Sequence, residues 1–130
     1  MGYMRHHAIV VSSWSEEDIK RAHSKAQEIF PWVSPISPPM TNGYASFFIP
    51  PDGSKEGWER SDFGDGERNQ FIDWLDTQRY GDGSSPLGWV EVQFYDDYNE
   101  SIVTRHSDEE TRQNAGELDL PMFAQRGAET

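Results

Sequence analysis

The chain contains no cysteine, and this absence removes several kinds of site at once. Without thiols there is no disulfide framework, no thiolate zinc centre and no cysteine nucleophile. A reducing cytoplasm suits a chain of this composition, and we expect the protein to work there. At 130 residues the chain needs no crosslinks, because a domain of that size buries roughly two-thirds of its unfolded surface.

Basic residues are scarce: 11 Lys and Arg stand against 23 Asp and Glu, and the formal net charge is -12. Binding to a phosphate backbone requires a basic footprint, so we expect no direct contact with nucleic acid. Long apolar runs are missing as well, since the run Ala8–Val11 is far too short for a signal peptide or a membrane span. We therefore expect no membrane partner.

Sequence motifs that are diagnostic of a particular reaction are also missing. The chain has no GxGxxG, no P-loop and no nucleophile elbow. Two-histidine phosphoesterases place a hydroxyl residue two positions after each histidine, but here Ala8 follows His6 and Asp108 follows His106 at that offset. Acid pairs are plentiful, yet among 23 acids such pairs arise by chance, and we expect neither a metal site nor a cofactor.

Aromatic residues, in contrast, are abundant, with five Trp, five Tyr and seven Phe. Aromatic faces attract planar rings and protein partners. An acidic surface repels nucleic acid and anionic membranes, and it keeps a small protein dissolved. The combination favours a compact binding protein.

The hydrophobic pattern predicts an α+β fold in the order β-α-β-α-β-β. We expect a small mixed or antiparallel sheet with two helices packed on one face. Ser13 and Ser15 are the N-cap candidates of the first helix, which Pro31 ends. Residues 1–106 would form a single domain, and residues 107–130 an acidic C-terminal tail or strap. The predicted strands are 7–12, 43–49, 89–94 and 101–105, and the predicted helices are 13–30 and 67–78.

Two further expectations concern the surface. Residues 52–67 are rich in glycine and acid and are predicted to form a long polar loop. In the third strand, period-two alternation assigns the apolar side chains to the face under the helices. The other face would be exposed and would offer a ligand or oligomer surface. A second helix that covers this face is the alternative. The apolar set is Val90, Val92 and Phe94, and the exposed set is Trp89, Glu91, Gln93 and Tyr95.

Cationic and switchable groups stand beside the first and last strands. Arg5, His6 and His7 precede the first strand, while Arg105 and His106 end the last. If these strands are neighbours in the sheet, the five groups would form a positive island for a phosphate or carboxylate. Scattered surface groups are the alternative.

The loop Asp52–Trp58 is the nearest approach to an anion-binding loop. Its glycines free the backbone amides, Ser54 and Lys55 can donate hydrogen bonds, and Trp58 can stack on a base. A plain turn followed by a tryptophan that caps the core is the alternative.

Four segments resemble small accessory proteins encoded by tailed phages and prophages, and the similarity extends from His6 to about Glu110. Such proteins are similar in style to anti-defence proteins, which include sponges for nucleotide immune signals and acidic inhibitors of host nucleases. The resemblance implies action in the host cytoplasm. The segments are His7–Val11, Asn42–Phe47, Pro51–Trp58 and Trp89–Gln93.

The leading hypothesis is a non-enzymatic, homo-oligomeric phage protein that binds and sequesters a small nucleotide-derived immune signal. The base would stack on Trp58, Tyr44 or Trp89. The phosphates would meet the cationic residues Arg105, Lys55, Arg5 and His106.

Two alternatives remain. One is an acidic protein-binding inhibitor or nucleic-acid mimic that acts on a host defence protein through residues 52–67 and 107–130. The other is an enzyme that cleaves a nucleotide signal, with His6, His7 or His106 as acid-base groups.

Overall fold

The computed structural model describes residues 4–55, 57–96 and 100–107. The predicted tail lies almost wholly outside these residues, as only Ser107 falls within them. The strands are β1 (Arg5–Ser13), β2 (Ala45–Ile49), β3 (Gly88–Tyr95) and β4 (Ile102–His106). The helices are α1 (Glu16–Ile29) and α2 (Glu59–Thr77), and one 3-10 turn covers Thr41–Gly43.

The four strands form one antiparallel sheet in the order β2-β1-β3-β4. The predicted α+β class and the element order β-α-β-α-β-β are confirmed. In the register, Ile9 stands opposite Ile49 on one side and opposite Glu91 on the other. A β-bulge in the β3–β4 pair shifts the register between Glu91 and Val92.

Both helices contribute buried side chains to a core that lies on one face of the sheet. Ser15 is the N-cap of α1, where its Oγ accepts a hydrogen bond from the backbone N–H of Asp18 at 3.2 Å. The acids of the first turn favour the positive end of the helix dipole. The core comprises Ile9, Val11, Ile19, Ala22, Ala26, Phe30, Val33, Phe47, Ile49, Phe71, Ile72, Leu75, Leu87 and Trp89.

The prediction of a loop over 52–67 is wrong in its second half. Helix α2 begins at Glu59, after the N-cap Trp58, and runs for 19 residues. The glycines suggested a loop because each costs a helix about 1 kcal/mol relative to alanine. Gly64 is nevertheless buried within α2, and a Cβ there would lie 3.1 Å from Arg68 Nη1 and 3.2 Å from Asp52 Oδ2. Glycine therefore leaves room at this turn for the side-chain ends of Arg68 and Asp52.

The predicted faces of β3 are reversed. Trp89 and Glu91 are buried under the helices, at 8% and 2% exposure, whereas Val90, Val92 and Phe94 face the opposite side. Period-two alternation defines two faces but does not say which one is covered. The burial of Glu91 is possible because arginines compensate its charge.

The outer edge of β2 is covered by the connector that follows α1. The backbone N–H groups of Ser34 and Ser37 donate to the carbonyls of Phe48 and Ser46 at 3.0 and 2.8 Å. In return, Ser34 Oγ accepts from Phe48 N at 2.8 Å. The connector thereby satisfies groups that an edge strand leaves exposed.

Candidate functional site

A cleft opens beside the sheet, bounded by the segments that follow α1 and β2 and by the first turns of α2. It holds about 100 Å³. Its apolar wall consists of Ile9, Phe30, Pro31, Trp32, Ile49, Pro50 and Pro51, and its polar wall of His7, Asp52, Arg60, Glu67 and Arg68. Trp32 is 58% exposed, so one aromatic face is open to a ligand.

Arg60 joins the two carboxylates of the cleft. Its Nε donates to Asp52 Oδ2 at 2.9 Å, and its Nη2 donates to Glu67 Oε1 at 2.6 Å. Arg60 and Glu67 share one side of α2 because seven residues make almost two helical turns. Arg60 Nη1 and Glu67 Oε2 take part in neither of these bonds, and both residues line the cleft.

Asp52 is fixed by its own loop as well as by Arg60. Its Oδ1 accepts from Ser54 N at 2.8 Å and from Ser54 Oγ at 2.6 Å. Burial alone would raise the pKa of Asp52, but the bonds from Ser54 and Arg60 outweigh it, and the pKa lies below the ordinary value. Asp52 is therefore a carboxylate at neutral pH.

His7 contributes a neutral ring to the cleft. Burial, followed by the charge of Arg68, lowers the pKa of His7, while Glu91 and the bond to Gln93 oppose the change. The ring nitrogen Nε2 lies 3.2 Å from Gln93 Oε1. That oxygen can only accept, so Nε2 carries the proton and Nδ1 is an acceptor.

The charges of the cleft balance. The lining holds two arginines, Arg60 and Arg68, and two carboxylates, Asp52 and Glu67, while His7 is uncharged at neutral pH. Arg60 pairs with both of these carboxylates, and Arg68 pairs with Asp65 and Glu91. A phosphate site normally presents cations in excess. The cleft instead presents paired donors and acceptors beside an aromatic face, which suits the edge of a flat polar ring.

A second cluster surrounds Glu91 and ties β3 to β4 and α2. Arg105 binds both carboxylate oxygens, and Thr104 Oγ1 donates to Oε1 at 2.8 Å. Arg68 Nε approaches Oε2 at 3.6 Å, while Arg105 Nη1 donates to Asn69 Oδ1 at 2.8 Å. Burial would raise the pKa of Glu91, but Arg105 and Thr104 hold it below the ordinary value.

The predicted positive island does not form, because β3 separates β1 from β4. Arg5 stands opposite Tyr95 at one end of β3, whereas Arg105 stands opposite Glu91 and is engaged by it. His106 ends β4 opposite Val90, on the face away from the helices. Arg5, Arg105 and His106, three of the five groups predicted for the island, thus lie at separate places.

The other predicted ligand residues lie at different places as well. Lys55 Nζ lies 5.9 Å from the ring centroid of Trp58, so these two residues are together, and Trp58 is 53% exposed. Tyr44 precedes β2 and is exposed, whereas Trp89 is part of the core. A buried Trp89 cannot stack on a ligand without opening that core.

The sequence reasoning missed Trp32, Arg60 and Glu67. Treating 52–67 as a loop hid the helical spacing that places Arg60 and Glu67 on one side of α2. One feature of the sequence pointed to Trp32. It directly follows Pro31, which ends the first helix, so its ring lies close to the end of that helix.

The histidines proposed for catalysis are also dispersed. His6 Nε2 lies 2.8 Å from Asp96 Oδ1, and His7 lies on the opposite face of the same strand. In the described part of the chain, no group of three His, Asp or Glu side chains is arranged to hold a metal ion. None of the described helices is both long enough and apolar enough to cross a membrane.

No protein-family model, curated protein or solved structure matches this chain.

Proposed function

We propose that the chain is a non-enzymatic binding protein that sequesters a small nucleotide-derived ligand, with the base in the cleft beside Trp32. The observation that carries the proposal is the pairing of an exposed aromatic face with a charge-balanced set of donors and acceptors. A nucleobase presents this combination, a flat ring with donors and acceptors along its edge.

The size of the cleft limits how much of the ligand it encloses. Pockets for a whole drug-sized ligand hold roughly 300–1,000 Å³, whereas this cleft holds about 100 Å³. One ring is therefore enclosed, and the sugar and phosphates extend past the rim. Lys55, three residues after Asp52, is the candidate contact for a phosphate.

This pose replaces the one expected from the sequence. Trp32 takes the stacking role assigned to Tyr44, Trp58 and Trp89, and Arg60 with Glu67 reads the base edge. Arg105 is assigned a structural role through Glu91. We further propose an immune signal as the ligand and the host cytoplasm as the place of action, which is what the resemblance of the four sequence segments to phage accessory proteins implies.

Native mass spectrometry of the full chain tests capture and turnover together. The protein is measured alone and after mixing with cyclic dinucleotides, mononucleotides, nucleosides and inorganic phosphate. We expect a stoichiometric mass gain with base-containing compounds, none with phosphate, and release of the ligand with unchanged mass on heating. A shortened ligand would indicate an enzyme, and a gain with phosphate alone would contradict the pose.

A second candidate is the acidic protein-binding inhibitor. It is favoured by the solvent side of α2, where Phe63 is 61% exposed in a shallow groove with Glu59, Asp62 and Gln70. An exposed aromatic ring within an acidic surface suits a basic partner. Binding of this kind weakens steeply with added salt, whereas stacking of a base on Trp32 does not.

A further inference from the structure

The sheet has an open face that no described element covers. Residues paired across the strands share a face, so the register assigns its members without ambiguity. Val10, Phe48 and Val103 on this face are 38%, 42% and 55% exposed. The full set, called the open face below, is His6, Ala8, Val10, Ser12, Ser46, Phe48, Val90, Val92, Phe94, Val103 and His106.

The strand-paired residues of the open face include no Asp, Glu, Lys or Arg, although the chain contains 34 such residues (11 basic and 23 acidic). At one end of the face the Asp96 carboxylate bonds to His6 at 2.8 Å. The centre of the face is built from β-branched and aromatic side chains, and its two histidines lie at opposite ends. A half-solvated antiparallel strand normally places polar side chains outward. An apolar face of this kind marks an interaction surface.

We propose that two copies of the chain dimerise by packing their open faces together, as the two sheets of a β-sandwich. The lack of charged side chains among the paired residues of the open face points to a second copy as the occupant, because two such faces meet without a like-charge contact. Two molecules of net charge -12 repel each other at most approaches. A contact between two open faces keeps the carboxylates at its margin, and a two-fold axis brings the apolar centre of one face onto that of the other.

The area of the face sets the expected strength of the dimer. Four strands about 4.8 Å apart, each about 17–30 Å long, present a flat area of roughly 400 Å². Standard interfaces bury about 800 Å² of accessible surface per partner, so this interface is about half the standard size. We therefore expect a dissociation constant on the order of micromolar rather than nanomolar.

Two copies could instead associate by pairing the edge strands of their sheets. One of the two edges is already occupied. The outer edge of β2 already bonds to the connector through Ser34 and Ser37. Within the described part of the chain, the β4 edge is the one that remains for such pairing, and it would leave Phe48 on the far strand untouched. Substitutions on β2 and on β4 therefore distinguish the two arrangements.

Sedimentation velocity on the full chain, from about 1 to about 300 µM, tests the proposal. Two variants, Phe48→Lys and Val103→Lys, introduce a charge at exposed positions on the two edge strands of the open face. Ile102→Lys is the matched control, because Ile102 is 46% exposed on the same strand but pairs with Gln93 on the helix side. Circular dichroism verifies that each variant is folded.

We expect the unmodified chain to shift from monomer to dimer across this range. Each open-face variant should weaken the dimer at least about tenfold, because a charge would enter an apolar interface twice. Ile102→Lys should dimerise as the unmodified chain does. A monomer at every concentration, loss of the dimer with Val103→Lys but not with Phe48→Lys, or dimers unaffected by both variants would overturn the proposal.

The dimer goes beyond the proposed ligand function and does not depend on it. The open face and the cleft are separate surfaces, because the cleft is lined by Ile9 and Ile49, whose side chains face the helices. Ligand capture and self-association can therefore fail independently.

Discussion

Arg105 donates two parallel hydrogen bonds to Glu91, from Nε to Oε1 at 2.8 Å and from Nη2 to Oε2 at 2.9 Å. The carboxylate is 2% exposed and lies in the middle of β3. This clamp explains why a charged residue occupies the covered face and why Arg105 does not contribute an unpaired charge to a ligand site.

Glu91→Gln should destabilise the fold strongly. The substitution keeps the shape of the side chain but removes the charge that compensates Arg105 and Arg68. Removing one member of a fully buried ion pair costs about 3 kcal/mol or more, but the Arg105 side chain is 39% exposed and partly solvated, so we expect a loss of about 1–3 kcal/mol, or about 4–15 °C in the melting temperature. Thermal unfolding measures the effect, with Glu17→Gln on the exposed side of α1 as the control; equal losses would refute a special role for Glu91.

The two glycines of α2 should respond differently to alanine. Gly66→Ala should raise the free energy of unfolding by about 0.5–1 kcal/mol, because alanine favours the helix and nothing lies within 4 Å of the added Cβ. Gly64→Ala should be less stable than Gly66→Ala by about 1 kcal/mol, because the ends of the Arg68 and Asp52 side chains, 3.1 and 3.2 Å from the added Cβ, would have to move. Urea unfolding of both variants decides the point. Equal stabilisation of the two variants would mean that Asp52 and Arg68 move aside at no cost in free energy.

The free energy of unfolding should decrease as the pH falls below about 6.5, the ordinary pKa of histidine. Folding lowers the pKa of His7, so the unfolded chain binds a proton at a higher pH than the folded chain. The neutral ring therefore supports the fold above that pH, and this support is lost as the pH falls toward the folded value.

His7→Gln should reduce the slope of stability against pH between 7 and 5, by no more than about 1.4 kcal/mol per pH unit for one group. Urea unfolding at several pH values measures this slope. An unchanged slope in His7→Gln would show that His7 titrates as an exposed histidine. The losses expected from Glu91 and Asp52 occur separately, below about pH 4.3.

The helix and strand order could be predicted from the sequence because local patterns determine it. The acids after Ser15, the helical spacing of Ile19 to Phe30 and the alternation in β3 all correspond to elements in the structure. The start of α2 could not be predicted, since the reason for Gly64 is a contact with Asp52, twelve residues away.

The site was harder to predict for a related reason. Hydrophobicity assigns Glu91 to solvent and Val92 to the core, and only the partners Arg105 and Arg68 reverse this assignment. The predicted positive island required β1 and β4 to be neighbours in the sheet. The strand order instead places β3 between them, so the residues beside the start of β1 and the end of β4 do not meet. The burial of Glu91 and the strand order both depend on tertiary contacts, which cannot be derived from a single sequence.

Calorimetric titration of the captured nucleotide into two tryptophan variants tests the central claim most directly. Trp32 and Trp58 are 58% and 53% exposed, so their removal perturbs the fold similarly, but only Trp32 lines the cleft. We predict that Trp32→Ala weakens binding by about 10- to 100-fold, because stacking contributes about 1–3 kcal/mol per base, and that Trp58→Ala weakens it less than about threefold. Full affinity in Trp32→Ala, or a large loss confined to Trp58→Ala, would contradict a base bound in this cleft.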